Sequence, residues 1–316
     1  MITLKTLYLL VGMMFAGFAI LGARDRSNPR RFGNAAFWGL MAVSLLGGDR
    51  IGDFANGLLV LALAALAGFG MIGRGAVADN SAEREASAAR LGNRLFLPAL
   101  IIPVVALFGT VAFTMTPLKT LGWIEPKRET YVLLAAGVLI ALGVIAMWLR
   151  PPLLAPLQEG RRLIDAIGWA AVLPQMLAAL GVLFAVAGVG DILGGYARAV
   201  IPAGNVFVAV AMFGIGMAGF TMIMGNAFAA FPVMAAAIGV PLLINGYGGN
   251  PAVVGAVGML AGFCGTLLTP MAANFNLVPA ALLDLKNPYG VIRAQVATAL
   301  PLLAANILLL YVAAFR

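Results

Sequence analysis

The sequence predicts an all-α fold: a polytopic transmembrane helical bundle. Of 316 residues, 62% are hydrophobic and only 10% are charged, against about 25% charged in soluble domains. A mean hydropathy of +1.01 leaves too little polar surface to coat a soluble globule of this size. Apolar runs of about 18 residues or more recur along the chain, each long enough for a hydrocarbon core of about 30 Å. In lipid every backbone N–H and C=O must be paired within the protein, so only helices and closed barrels span. The runs lack the period-two alternation of barrel strands, which leaves helices.

Spans are expected near 5–22, 33–48, 54–73, 95–116, 129–149 and 166–188. A double-length apolar stretch follows at 203–245, then spans near 251–285 and 291–314. The total is about eight spans plus a helical hairpin (203–245) and a broken helix (251–285). Residues 1–165 read as plain, scaffold-like spans, with Pro98 and Pro103 kinking one of them. Residues 166–316 read as a transport-like half. The N-terminal run holds one lysine, a long apolar core and no convincing small-x-small cleavage site, and a four-arginine cluster follows it. A retained anchor is therefore expected, not a signal peptide.

The net charge of +8 suggests an anionic partner until the charges are placed. Thirteen of the twenty basic residues fall in one set of loops: Arg24, Arg26, Arg30, Arg31, Arg74, Arg84, Arg90, Arg94, Arg150, Arg161, Arg162, Lys286 and Arg293. The two sets of loops alternate as successive spans require. The positive-inside rule puts the richer set in the cytoplasm and both termini outside. The chain is thus expected as a multi-pass protein of the cell inner membrane, with no nucleic-acid partner. A lipid-headgroup role for Arg30 and Arg31 is the competing reading of that cluster. In the loop 74–94, Asn80 and Glu83 have the spacing of a helix N-cap box, which predicts a short cytoplasmic helix reaching about Arg90.

The residue types exclude much chemistry. There is no histidine, and Cys264 is the single cysteine. Histidine acid–base work, most metal sites and disulfides are therefore absent. A membrane enzyme would need a nucleophile–base pair or a metal cluster at bilayer depth, and none is visible. Cys264 reads as a small packing residue.

The informative region is the 85-residue stretch 199–283, which contains no charged residue. In it a helix through Gly214, Gly216, Gly219 and Thr221 meets Gly225-Asn226-Ala227 and runs out with Pro232 soon after. Glycine and asparagine tolerate the left-handed backbone of a tight tip, so a helical hairpin is expected, either re-entrant or made of two full spans. The second feature is Thr266…Thr269-Pro270…Asn274-Phe275-Asn276…Pro279. It interrupts an apolar segment too long for one straight span. Broken helices in transporters expose half-helix ends, whose N-termini favour anions and whose freed carbonyls can hold Na⁺. The candidate substrate-binding residues are Thr221, Gly225, Asn226, Ala227, Thr269, Pro270, Asn274 and Asn276. Glycine, threonine and proline also serve as packing and kink residues in membranes, and Gly258…Gly262 reads as packing. Asparagines at bilayer depth must find partners or water, so interhelix hydrogen bonding competes with binding for that trio.

A family resemblance attaches to these residues. The layout Asp165…Gly168-Trp169…Pro174-Gln175, then Gly188…Asp191, the Gly225-Asn226-Ala227 tip and the Thr269-Pro270…Asn274-Phe275-Asn276 break resembles a permease family first described as a domain of unknown function. That family is now assigned as one subunit of a two-subunit 5-oxoproline (pyroglutamate) transporter. The run Arg24-Asp25-Arg26-Ser27-Asn28-Pro29-Arg30-Arg31 followed by Phe37-Trp38 is similar as well. More distantly, a hairpin followed by a broken helix resembles the ion-transporter superfamily of gluconate and dicarboxylate permeases. Those carry two such units in inverted repeat. In the gluconate branch the break carries Ser-His-Val-Asn-Asp, whereas Thr269 to Asn274 here has neither the His nor the Asp. One hairpin-plus-break unit is visible in this chain. The resemblance implies that a second, smaller membrane subunit supplies the other half-site.

The expected function is therefore a subunit of a secondary transporter for a small organic anion, with 5-oxoproline as the substrate the resemblance implies, bound between hairpin tip and helix break. Na⁺ or H⁺ is the expected coupling ion, and no other cofactor is implied. A non-transporting scaffold subunit of a transport complex is the alternative.

Overall fold

The computed structural model describes residues 1–75, 81–202 and 204–315. The Asn80–Glu83 capping box lies outside the described residues. Among the described residues, thirteen α-helices account for the fold: α1 (Leu4–Arg24), α2 (Arg31–Gly68), α3 (Ser81–Leu91), α4 (Phe96–Met115), α5 (Glu129–Leu149), α6 (Ala155–Ile167), α7 (Leu173–Val186), α8 (Val189–Val200), α9 (Val206–Met224), α10 (Ala227–Met234), α11 (Pro251–Leu267), α12 (Leu277–Leu282) and α13 (Gly290–Ala314). Among the described residues there is no strand beyond one isolated bridge, Ile2 to Ile124. Among the described residues, eight helical segments are long and apolar enough to cross a membrane, and α11 is a shorter apolar helix. The chain is thus an all-α, multi-pass membrane protein. It divides into two compact units, Met1–Asp165 and Ala166–Arg316.

In the N-terminal unit, α2 runs for 38 residues, but Gly52 sits at φ 77°, ψ 167° inside it. That backbone cannot continue a right-handed helix. It divides α2 into two arms where the sequence predicts separate spans. α1 packs against α2 around an aromatic core. The Phe15 and Trp38 rings stack 5.6 Å apart, and Phe37 meets Trp38 edge-on at 4.8 Å. α4 and α5 form a second pair, with Gly137 close enough that a Cβ there would lie 3.0 Å from the Ile102 carbonyl oxygen. α6 is amphipathic and carries Arg161, Arg162 and Asp165.

The C-terminal unit holds an apolar core built on Val210, Phe213, Met217, Leu243 and Leu310. Close helix approach is made by small residues, as in other membrane bundles. A Cβ on Gly265 would collide with the Ala218 carbonyl oxygen, so α9 and α11 touch backbone to backbone. Gly258 faces the Phe213 ring and Gly262 faces Met217 and Ala227, which places both glycines in packing. Cys264 is buried; its Sγ lies 3.5 Å from the Leu260 carbonyl and accepts from Asn306 Nδ2 at 3.5 Å.

The double-length stretch is a hairpin. α9 forms its first arm of 19 residues. The second arm is α10 continued by a π-helix over Ala235–Ile244, 18 residues in all. Each arm is long enough to cross a membrane. The next apolar segment is broken as expected. α11 ends at Leu267, turns occupy the following residues, and α12 resumes at Leu277.

Candidate functional site

Gly225 closes the hairpin tip. It sits at φ 69° in the left-handed region, and its N–H donates to the Thr221 carbonyl at 2.6 Å. Only glycine adopts this backbone without strain. A Cβ there would also lie 2.5 Å from the carbonyl oxygen of Met271, so tip and break are in direct backbone contact. Asn226 is the N-cap of α10, its Oδ1 accepting from Phe228 N–H at 2.8 Å. This satisfies one of the donors that a helix start leaves unpaired. Ala227, the first helical residue, is fully buried.

The break is tied to the tip by Thr269, whose hydroxyl donates to the Met222 carbonyl at 2.8 Å and accepts from Met271 N–H at 3.2 Å. Pro270 follows, half-buried. Asn276 is fully buried. Its Nδ2 donates to the carbonyls of Thr266 and Thr269 at 2.8 and 2.7 Å. It therefore caps the C-terminal end of α11, pairing carbonyls that the broken helix would leave open.

A cavity of about 200 Å³ lies between tip and break. Of the candidate residues, Gly225, Asn226 and Asn274 line it. Thr221, Ala227, Thr269, Pro270 and Asn276 do not, and they form the frame behind it. The asparagine trio thus divides: Asn226 and Asn274 line the cavity, Asn226 while also capping α10, and Asn276 makes only the hydrogen bonds of a structural cap. Sequence reasoning placed Thr266 in the break but not among the binding residues, and did not anticipate the apolar wall of Leu177, Phe228, Phe263, Met271 and Phe275. Phe228 and Phe263 meet edge-on at 5.6 Å. The available signal was adjacency: Phe228 lies two residues past the tip, and Phe275 separates two of the asparagines. The cavity joins amide groups, an aromatic wall and the start of α10, whose positive dipole end favours an anion.

A second polar cluster, in the N-terminal unit, was not foreseen either. Asp165 is buried, and its Oδ1 accepts from Trp38 Nε1 at 2.7 Å and Asn34 Nδ2 at 2.9 Å. Arg161 contacts Asp25 at 2.8 Å and Asp165 at 3.6 Å. Asn34 also exchanges hydrogen bonds with the backbone of Gly73 in both directions, and Asn28 donates to the same carbonyl. The Arg161–Asp165 spacing of four residues was the readable hint. Burial alone would push the Asp25 carboxyl up. Hydrogen bonds from the Ser27 hydroxyl, Arg161 and the Ser27 backbone outweigh it and hold Asp25 below the usual carboxylate range. A depressed pKa means that the unfolded state takes up the proton first. The stabilisation from Asp25 is then complete above its unfolded value of ~3.9 and is lost as pH falls through the lower folded value. Thermal melts of wild type and Asp25→Asn should differ at neutral pH and converge in acid below that value.

These features define a polytopic helical membrane protein with a charge-free cavity at the junction of a hairpin tip and a broken helix. The chain belongs to the family described as "Protein of unknown function (DUF979)", whose model matches residues 5–315. No curated protein and no solved structure matches the chain.

Proposed function

We propose that this chain is one subunit of a secondary transporter for a small organic anion, with 5-oxoproline as the substrate. The observation that carries the reading is the cavity between hairpin tip and helix break. It is lined by Asn226, Asn274 and Thr266 and an aromatic wall, in a stretch without a charged side chain. A compact lactam acid suits such a lining. Its ring edge packs on Phe228 and Phe263, its lactam N–H and C=O match an asparagine amide, and its carboxylate is favoured at the start of α10. A charged side chain at bilayer depth would cost roughly 2.5–3.5 kcal/mol on insertion scales, and this lining avoids that cost.

The chain sits in the cell inner membrane with both termini outside, as the distribution of its arginines favours. It works with a second, smaller membrane subunit that supplies the other half of the site, and with Na⁺ or H⁺ as the coupling ion. Uptake of labelled 5-oxoproline tests this in cells carrying both subunits, each alone, and Asn226→Ala or Asn274→Ala variants. Uptake should require both subunits. Each variant should reduce it by about tenfold or more, the effect of one lost hydrogen bond of roughly 1.5 kcal/mol to a charged ligand. Uptake unchanged in both variants would favour a non-transporting scaffold.

A further inference from the structure

The span expected to end near residue 188 does not end there. α7 and α8 follow one another alongside the second arm of the hairpin, and four close approaches fix their course. A Cβ on Gly225 would lie 2.8 Å from Leu177 Cδ1, and a Cβ on Gly181 would lie 2.9 Å from Ala229 Cβ. Further on, a Cβ on Gly190 would lie 3.0 Å from the Val233 carbonyl oxygen and from Ala236 Cβ, and one on Gly194 would lie 2.8 Å from the Ala237 carbonyl oxygen. The two helices thus run in the same direction as the arm, as two halves of one path. Gly188, at φ 69°, interrupts that path between them. Val233 to Ala237 are the seventh to eleventh residues of the 18-residue arm Ala227–Ile244. An arm that crosses the membrane therefore carries Gly190, and with it Asp191, at the middle of the bilayer.

Asp191 is exposed there. Among the described residues no ion pair or side-chain hydrogen bond reaches its carboxylate. α8 buries Gly190, Gly194 and Ala197 against the arm and leaves Asp191, Ile192, Gly195 and Tyr196 on its outer side. A Cβ on Gly195 would meet nothing within 4 Å, so another helix can come close at that point. A carboxylate facing hydrocarbon is costly, and ionisable groups at that depth pair with one another. This chain holds no cation for it. Among the described residues, its lysines and arginines sit in loops, in α3 or α6, at the Gly52 corner of α2 or near helix ends. A second copy has the same shortage, and a two-fold axis along the membrane normal would set Asp191 against Asp191. We propose that the outer face of α8 docks a membrane-spanning helix of a different chain, which sets a lysine or arginine against Asp191. This deepens the two-subunit reading and rests on it for the identity of that chain, the second membrane subunit. α7 lines the cavity through Leu177, so docking on α8 brings that subunit beside the candidate site.

The test is photocrosslinking in membranes that carry both subunits, with a benzophenone side chain introduced at Tyr196 or, as a control, at Ile215, an exposed residue of α9. Tyr196 should give one adduct with the second subunit and Ile215 none. Co-purification in detergent is the second readout. Asp191→Lys should lower recovery of the second subunit by about tenfold or more, as loss of a desolvated charge pair does, and Asp191→Glu should keep it near wild type. Asp191→Asn has the same shape without the charge, so it should lower recovery while the chain still elutes as a folded protein. A tenfold loss in Asp191→Lys should be reversed by a lysine- or arginine-to-glutamate change at one position of the partner helix. Recovery undiminished in both Asp191→Lys and Asp191→Asn overturns the proposal. So does a Tyr196 adduct with a second copy or within the chain itself. Subunits that co-purify without a Tyr196 adduct would place the interface elsewhere and sink this inference alone. Wild-type subunits that never co-purify would sink the two-subunit reading with it. Neither readout uses 5-oxoproline, so a wrong substrate leaves the result standing.

Discussion

Asp165→Ala is expected to destabilise the N-terminal unit by about 1–3 kcal/mol, the usual cost of leaving a buried donor without its partner. The carboxylate collects Trp38 Nε1 and Asn34 Nδ2 on one oxygen and faces Arg161 with the other. Deleting it leaves the Trp38 donor buried and unpaired and removes one of the two carboxylates facing the guanidinium. Asn34 retains its bonds to Gly73, so part of the cluster survives. Asp165→Asn should cost less, because its amide oxygen can still accept from Trp38 and Asn34. Chemical or thermal unfolding of both variants in detergent measures the difference. Equal losses would assign the effect to the Arg161 charge and not to the hydrogen bonds.

Gly225→Ala is the second large effect, and it falls on the site. A left-handed backbone costs a residue with a Cβ roughly 1–2 kcal/mol. The new methyl would also sit 2.5 Å from the Met271 carbonyl oxygen, a backbone atom that yields only if the break moves. Overpacking of that kind costs about 1–3 kcal/mol, for a total of about 2–5 kcal/mol. Met271 lines the cavity, so the displacement should abolish uptake even where the protein still folds. Gly219→Ala is the control: it lies on the same helix, and a Cβ there meets nothing within 4 Å. It should leave uptake and melting close to wild type.

Most of the fold was legible in the sequence, because apolar run length is read directly against bilayer thickness. The division of α2 was visible as two runs around Gly52, and the break after α11 as prolines and amides inside an overlong segment. The tip was legible because Gly225-Asn226 has few other uses inside an apolar run. Which polar residues face the cavity was not legible. Asn274 and Asn276 are two residues apart and look equivalent in sequence. The turns after Leu267 expose one and bury the other, and only the three-dimensional path of those turns separates them. The burial of Asp165 was hidden for a related reason. Its partners Asn34 and Trp38 lie more than a hundred residues earlier, so the residue reads as an ordinary polar helix end.

The central claim is that the cavity between tip and break holds the transported anion. The most direct measurement is substrate protection at its wall. Cys264 is the single cysteine and is buried, so introduced thiols can be followed alone. Met271→Cys and Phe275→Cys place a thiol on two lining residues that are partly exposed. In a variant that still takes up 5-oxoproline, the rate of thiol modification should fall as 5-oxoproline is added. Leu153→Cys, in the other unit and almost fully exposed, should react at an unchanged rate. Modification of Met271→Cys and Phe275→Cys that is indifferent to the anion, in variants that still transport it, would place the solute elsewhere and contradict the assignment.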